Sequence, residues 1–334
     1  MALLGAPCFS GINERIDEIM NDASSGTAFV FPGQGSQSVG MLKALAAHHA
    51  SIGETFGEAS EVLGYDLWAL TQTGPEEALN RTAVTQPALL AADVGCYRAW
   101  RANGGGQPTW MAGHSLGEFA ALVCAEALDY KEAVRLVARR GALMQAAVPE
   151  GEGAMAAILG LADEVVEGLC RDSAEGEVLA AANYNAPGQI VIAGTKAAVD
   201  RAIRAARGAG AKRAIVLAVS APSHCGLMRE AAAKFAEALA VTPFKNPAVP
   251  VVHNVDAARW SDPERIREAL VNQLFSPVRW VETIRRMAEW GASRVVECGP
   301  GKVLTGLNKR IVDLPCVAIG DPADFGAAMG TDAN

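Results

Sequence analysis

One serine in this chain sits between glycines two residues to either side, in Gly113-His-Ser115-Leu-Gly117. The residues before it are apolar and those after it carry a helical pattern, so the spacing fits a nucleophile elbow. In such a turn the serine is pushed out of the sheet. Glycines at the flanking positions remove side chains where strand and helix pack closely. The following helix aims its free amides at the reacting atom, which places the Leu116 N–H to bind an oxyanion. Glu118, in the first helical turn, reads as structural. A serine nucleophile needs a base. The five histidines are His48, His49, His114, His224 and His253. His224, at the mouth of a predicted helix, is the better candidate, because a helix N-terminus disfavours imidazolium. His253, at the end of a predicted strand, is the second. No acidic residue lies in an obvious motif to orient the base. A backbone carbonyl can do so instead, and the unpaired carbonyls ending the predicted helix 263–274 are available.

Two further features are weaker by themselves. Pro32-Gly-Gln34-Gly-Ser-Gln37 follows a short apolar strand but lacks the lysine and spacing of a phosphate loop. Its backbone could supply a second oxyanion donor. Arg140 lies in a predicted helix over 131–147, where arginines are usually solvated.

The elements that must position these residues alternate between strand and helix. Strand 28–31 is followed by helical stretches at 41–50, 52–63 and 85–100, the last with Pro87 in its first turn, then by the strand–serine–helix unit. This alternation predicts a parallel sheet covered by helices. After residue 150 the order becomes strand 153–160, helix 162–175, strands 178–184 and 189–193, helix 196–209 and strand 213–219, the split β-α-β arrangement of a ferredoxin-like unit. The first pattern then resumes, ending in a last helix from Lys302. The expected organisation is an α/β core over 27–149 and 221–330, an inserted subdomain over 150–220, and an N-terminal extension over 1–26. In that extension Ile12, Ile16, Ile19 and Met20 recur at helical spacing.

Composition narrows the function. A net charge of −8 with no long basic run argues against nucleic-acid binding. No apolar run is long enough for a membrane span. Seven scattered cysteines without a C-x-x-C pair fit free thiols in a reducing cytoplasm.

Taken together, FVFPGQGSQSVGM, TQPALLAADV, GHSLGE, VARRGALMQ, GAMAAILGL, NYNAPGQIVIAG, VSAPSHC, QLFSPVRW and ECGPGKVLTGL resemble, in order, the bacterial malonyl-CoA:acyl carrier protein transacylase family. The resemblance covers roughly residues 27–312 and implies an α/β-hydrolase-like core with an inserted ferredoxin-like subdomain. It implies Ser115 as acyl acceptor, His224 as base, Gln34 and the Leu116 N–H in the oxyanion hole, Arg140 as clamp for the malonyl carboxylate, and the Gln273 carbonyl as partner of His224. It implies malonyl-CoA and acyl carrier protein as partners, with no metal or redox cofactor, and a monomer is expected. Ser223, before the histidine, looks like the fatty-acid type. His253 departs from the family, which carries asparagine there. Lys212, Arg213, Lys302, Lys309 and Arg310 are candidates for a basic patch facing an acidic carrier. A stand-alone acyltransferase serving a polyketide synthase shares nearly all these motifs. A thioesterase or lipase shares the elbow but has no reason to pair it with a carboxylate clamp.

Overall fold

The computed structural model describes residues 26–218 and 221–330; the helical pattern at 12–20 lies outside them. Its strands are β1 (Thr27–Phe31), β2 (Trp110–Gly113), β3 (Gly153–Leu159), β4 (Leu179–Ala186), β5 (Gln189–Thr195), β6 (Arg213–Val216), β7 (Val251–Val252), β8 (Arg294–Glu297) and β9 (Cys316–Ala318). Five of them form a parallel sheet in the order β7-β2-β1-β8-β9. A strand in the middle of such a sheet is covered on both faces and so is apolar throughout. β1 illustrates this: Phe29 and Phe31 enter one core, and Ala28 and Val30 enter the other. β1 pairs in register with β2, setting Phe31 beside Gly113, and that register brings the first glycine-rich loop and the elbow to one end of the sheet.

The second sheet is antiparallel in the order β4-β5-β3-β6, with helices Asp163–Ala174 and Lys196–Gly208 between its strands in sequence. This is the ferredoxin-like order. Ile190 and Ile192 of β5 pack against those helices, while Val191 and Ala193 face the other way onto Cys225. The sheet therefore braces the residue next to His224.

Several predicted elements shift. The helix predicted from residue 85 starts at Thr82 (Thr82–Ala102), because the Arg81 carbonyl accepts the Val84 and Thr85 amides, each at 2.8 Å. Pro87 thus lies inside the helix and not in its first turn, and cannot donate to the carbonyl four residues back. Over 41–49 only Lys43–Ala46 is helical, with Leu42 at a left-handed φ of 59° before it, and Ala50 already opens the next helix, Ala50–Leu63. Val303–Asn308 is not the last helix: β9 and helix Pro322–Met329 follow it. β9 is three residues long, too short to show a period of two. No helix among the described residues is long and apolar enough to cross a membrane.

Candidate active site

Parallel strands deliver their loops to one end of the sheet, where ligand sites in α/β folds lie. At the end of β2, Ser115 takes a φ of +52°, which is strained for any residue but glycine. The neighbouring glycines are sterically required. A Cβ on Gly113 would lie 1.8 Å from the Gly117 carbonyl carbon, and one on Gly117 would lie 2.1 Å from the Phe31 oxygen. Asn254, just past β7, clamps both sides of the turn. Its Oδ1 accepts from the Ser115 amide and its Nδ2 donates to the Gly113 carbonyl, each at 2.7 Å.

His224 reaches this serine from the far side of the inserted sheet, 109 residues along the chain, with Nε2 2.7 Å from Ser115 Oγ. Its Nδ1 donates to the Gln273 carbonyl at 2.7 Å. A carbonyl can only accept, so Nδ1 carries the hydrogen and Nε2 offers its lone pair to the hydroxyl. The backbone is fixed by a bond from the His224 amide to the Leu274 carbonyl at 2.9 Å, and φ is +62°. Burial, and then the charge of Arg140, push the imidazolium down to about 3. His224 lies just before a 3-10 turn, Gly226–Met228, that runs directly into the helix Arg229–Val241, so the predicted helix mouth is present, and desolvation adds to it in keeping the ring neutral. His253 is not brought to the serine; its Nδ1 lies 2.7 Å from Glu118 Oε1 in the interior. His114 instead turns its Nε2 to Asn185 Oδ1 at 2.8 Å.

Arg140 is not the solvated helix residue that its position alone suggests: it is fully buried. Nη2 donates to Gln273 Oε1 at 2.8 Å and to Ser115 Oγ at 3.3 Å, and Nη1 donates to Gln86 Oε1 at 2.9 Å. Burial lowers the guanidinium to about 10, opposed by the charge of Glu118, and the group stays cationic at neutral pH. Its Nε has no hydrogen-bond partner among the described residues. A cation so placed beside a nucleophile can bind a carboxylate carried by the acyl group.

Leu116 is buried behind the serine, and its amide makes no hydrogen bond among the described residues, whereas the next three amides bond back to His114, Ser115 and Leu116. Gln34 lies exposed on the loop after β1, and its Oε1 accepts from Gln86 Nε2 at 3.3 Å. Gln86 and Asn254 escaped sequence reasoning. Gln86 is a polar residue on an apolar stretch of helix, inside TQPALLAADV. Asn254 lies two residues past β7, next to the histidine at 253. Glu118 was legible only as structural. Of the basic patch, Lys302 is engaged by Asp321 and Asp324, and Arg310 by Gln189 and the Pro187 carbonyl.

Fold and site together define a serine acyl-transfer architecture, with an elbow serine, a histidine held by a carbonyl, and a buried arginine. The acyl transferase domain family matches residues 28–315. The malonyl CoA-acyl carrier protein transacylase of Escherichia coli (strain K12) is 57% identical over 303 residues, covering 90% of this chain and 98% of that protein. Its counterpart in Bacillus subtilis (strain 168) is 44% identical over 306 residues, covering 91% and 96%. Among solved structures, an acyl carrier protein S-malonyltransferase from Vibrio cholerae is 56% identical with a TM-score of 0.89, covering 91% of this chain and all of that one (100%). A malonyl-transacylase in complex with a type II polyketide acyl-carrier protein is 54% identical with a TM-score of 0.91, covering 92% and 100%. The chain belongs to the acyl transferase family and, within it, to the malonyl CoA-acyl carrier protein transacylases.

Proposed function

We propose that this chain moves a malonyl group from malonyl-CoA to the phosphopantetheine thiol of acyl carrier protein, in fatty acid biosynthesis, through a malonyl-Ser115 intermediate. The observation that carries this reading is Ser115 Oγ lying between His224 Nε2 at 2.7 Å and the Arg140 guanidinium at 3.3 Å. His224 takes the hydroxyl proton as Ser115 attacks the thioester carbonyl. The amides of Leu116 and Gln34 hold the oxyanion, each such donor being worth about 10²–10³ in rate. The C–S bond breaks, and CoA leaves with the proton from His224. The carrier thiol then gives its proton to His224, attacks the ester carbonyl, and Ser115 departs with that proton. Arg140 holds the free carboxylate throughout, with Gln273 and Gln86 orienting it. No metal or redox cofactor enters this scheme.

The inserted subdomain over 150–220 supplies the wall from which His224 descends, against a core over 27–149 and 221–330. Lys212, Arg213 and Lys309 are exposed, make no side-chain hydrogen bond or ion pair among the described residues, and are the cations of the proposed carrier-facing patch. Six buried free cysteines among the described residues fit a reducing cytoplasm. Likeness to the transacylase seated on a polyketide carrier favours a second reading, service to a polyketide synthase. The test supplies malonyl-CoA with each carrier type and without carrier. Carrier-dependent malonyl-carrier is expected, with the faster carrier naming the pathway. Free malonate as the main product in every arm would make the chain a hydrolase.

A further inference from the structure

Beneath the site lies a buried polar layer that no acyl group would touch. Glu118, in the first turn of the Gly117–Cys124 helix, is fully buried. Its Oε1 accepts from His253 Nδ1 at 2.7 Å, and its Oε2 accepts from the Asn254 amide at 3.0 Å and from Gln273 Nε2 at 2.8 Å. Gln273 Nε2 also donates to the Ser115 carbonyl at 2.9 Å, while Gln273 Oε1 accepts from Arg140.

The two ends of a side-chain amide are not equivalent, since one only donates and the other only accepts. A carboxylate accepts, so Gln273 must turn its Nε2 to Glu118 and its Oε1 to the guanidinium. Reversed, the amide would set donor against donor at Arg140. Glu118 and the Ser115 carbonyl, both acceptors, together fix which way round Gln273 sits.

We propose that Glu118 is a positioning residue for acyl-group selectivity: through the Gln273 side chain it fixes the Arg140 guanidinium, and with it the preference for malonyl over acetyl. This rests on the reading of Arg140 as the carboxylate clamp. The base is held separately. His224 is tied to the backbone carbonyls of Gln273 and Leu274, which end a helix and stay in place without the Gln273 side chain. The charge of Glu118 acts in the same direction, favouring the cationic guanidinium against its burial. Loss of Glu118 therefore strikes the clamp through Gln273; it leaves the His224 contacts in place and reaches the elbow, for either acyl group alike, only through the Asn254 amide.

Glu118→Leu removes the acceptor with little change of volume. Gln273 Nε2 then keeps only the Ser115 carbonyl, and the side chain holds the guanidinium less firmly. The measurement is the rate of acyl-Ser115 formation in the full chain from malonyl-CoA and from acetyl-CoA, by intact-mass spectrometry, alongside a thermal melt. The malonyl-to-acetyl ratio of acylation rates is expected to fall about tenfold, the scale of one charged hydrogen bond. Gln273→Leu is expected to lower that ratio similarly, and the double variant to lower it no further than Gln273→Leu alone, because residues acting through one another are not additive. An unchanged ratio in either variant, or additive falls of the ratio in the double, would overturn the proposal. If wild type takes no malonyl group at all, the transfer reading beneath it fails instead.

Discussion

Arg140 Nη2 lies 3.3 Å from Ser115 Oγ, although the two residues are 25 positions apart and stand on different elements, the turn after β2 and the helix Tyr130–Ala146. The contact places a fixed positive charge beside the atom that would carry the acyl group. It also explains why that charge is buried at a cost: it is held by Gln86 and Gln273 and left with an unpartnered Nε.

Arg140→Ala is expected to lose malonyl transfer far more than acetyl transfer. A hydrogen bond to a charged group contributes about 1.5–3 kcal/mol, which corresponds to roughly 10–150-fold in the malonyl-to-acetyl ratio of kcat/KM. Arg140→Lys should recover only part of this, because an ammonium cannot form the bidentate fork. Equal losses for the two donors would remove the clamp from the mechanism.

His224 gives the chain a stability slope on the acid side. Its imidazolium is pushed down to about 3 in the folded chain, against 6.5 when unfolded. Between those values the unfolded chain binds a proton that the native chain refuses, so stability falls as pH drops through that window. Urea midpoints at neutral pH and near the middle of the window should show a smaller loss for His224→Gln than for wild type. An identical loss in both would mean that the native ring is protonated after all.

Asp93 tilts stability in the other direction. Both of its oxygens are buried without a hydrogen-bond partner among the described residues, and burial, with Glu297 nearby, raises its carboxyl well above 3.8. A raised native carboxyl favours folding below the unfolded value, and the benefit is lost as pH rises towards the native one. Asp93→Asn should therefore be at least as stable as wild type at alkaline pH and show a flatter decline. A melting temperature that drops at every pH would show that the carboxyl is needed for another reason.

The elbow glycines should be intolerant in a way that other glycines are not. Gly113→Ala must move backbone, because its Cβ would meet the Gly117 carbonyl carbon at 1.8 Å. Overpacking of this kind costs about 1–3 kcal/mol or more. Gly306→Ala, in a helix with nothing within 4 Å of the new Cβ, should be neutral or stabilising. Thermal melts of the two variants, compared with wild type, check this contrast.

What could be read before the fold was seen follows from physics that acts locally. The apolar run of β1, the glycine spacing around Ser115 and the split β-α-β order all follow from neighbours in sequence, and all appear in the structure. The carbonyl end of helix Pro263–Gln273 was also legible as a partner for a histidine, because helix ends leave acceptors unpaired. Burial was not legible. Arg140 alone reads as a surface arginine, and only the family resemblance moved it inside. Asn254 and Gln86 act across 139 and 54 residues, on Ser115 and Arg140 respectively, distances at which no spacing rule operates. β9 failed because three residues are too few for a period.

The most direct measurement is intact-mass spectrometry of the protein mixed with malonyl-CoA, followed by addition of acyl carrier protein. A single malonyl adduct is expected, mapped by peptide digestion to Ser115, passed on to the carrier thiol, and absent from Ser115→Ala. An adduct that persists in Ser115→Ala, or that maps to another residue, would contradict the account.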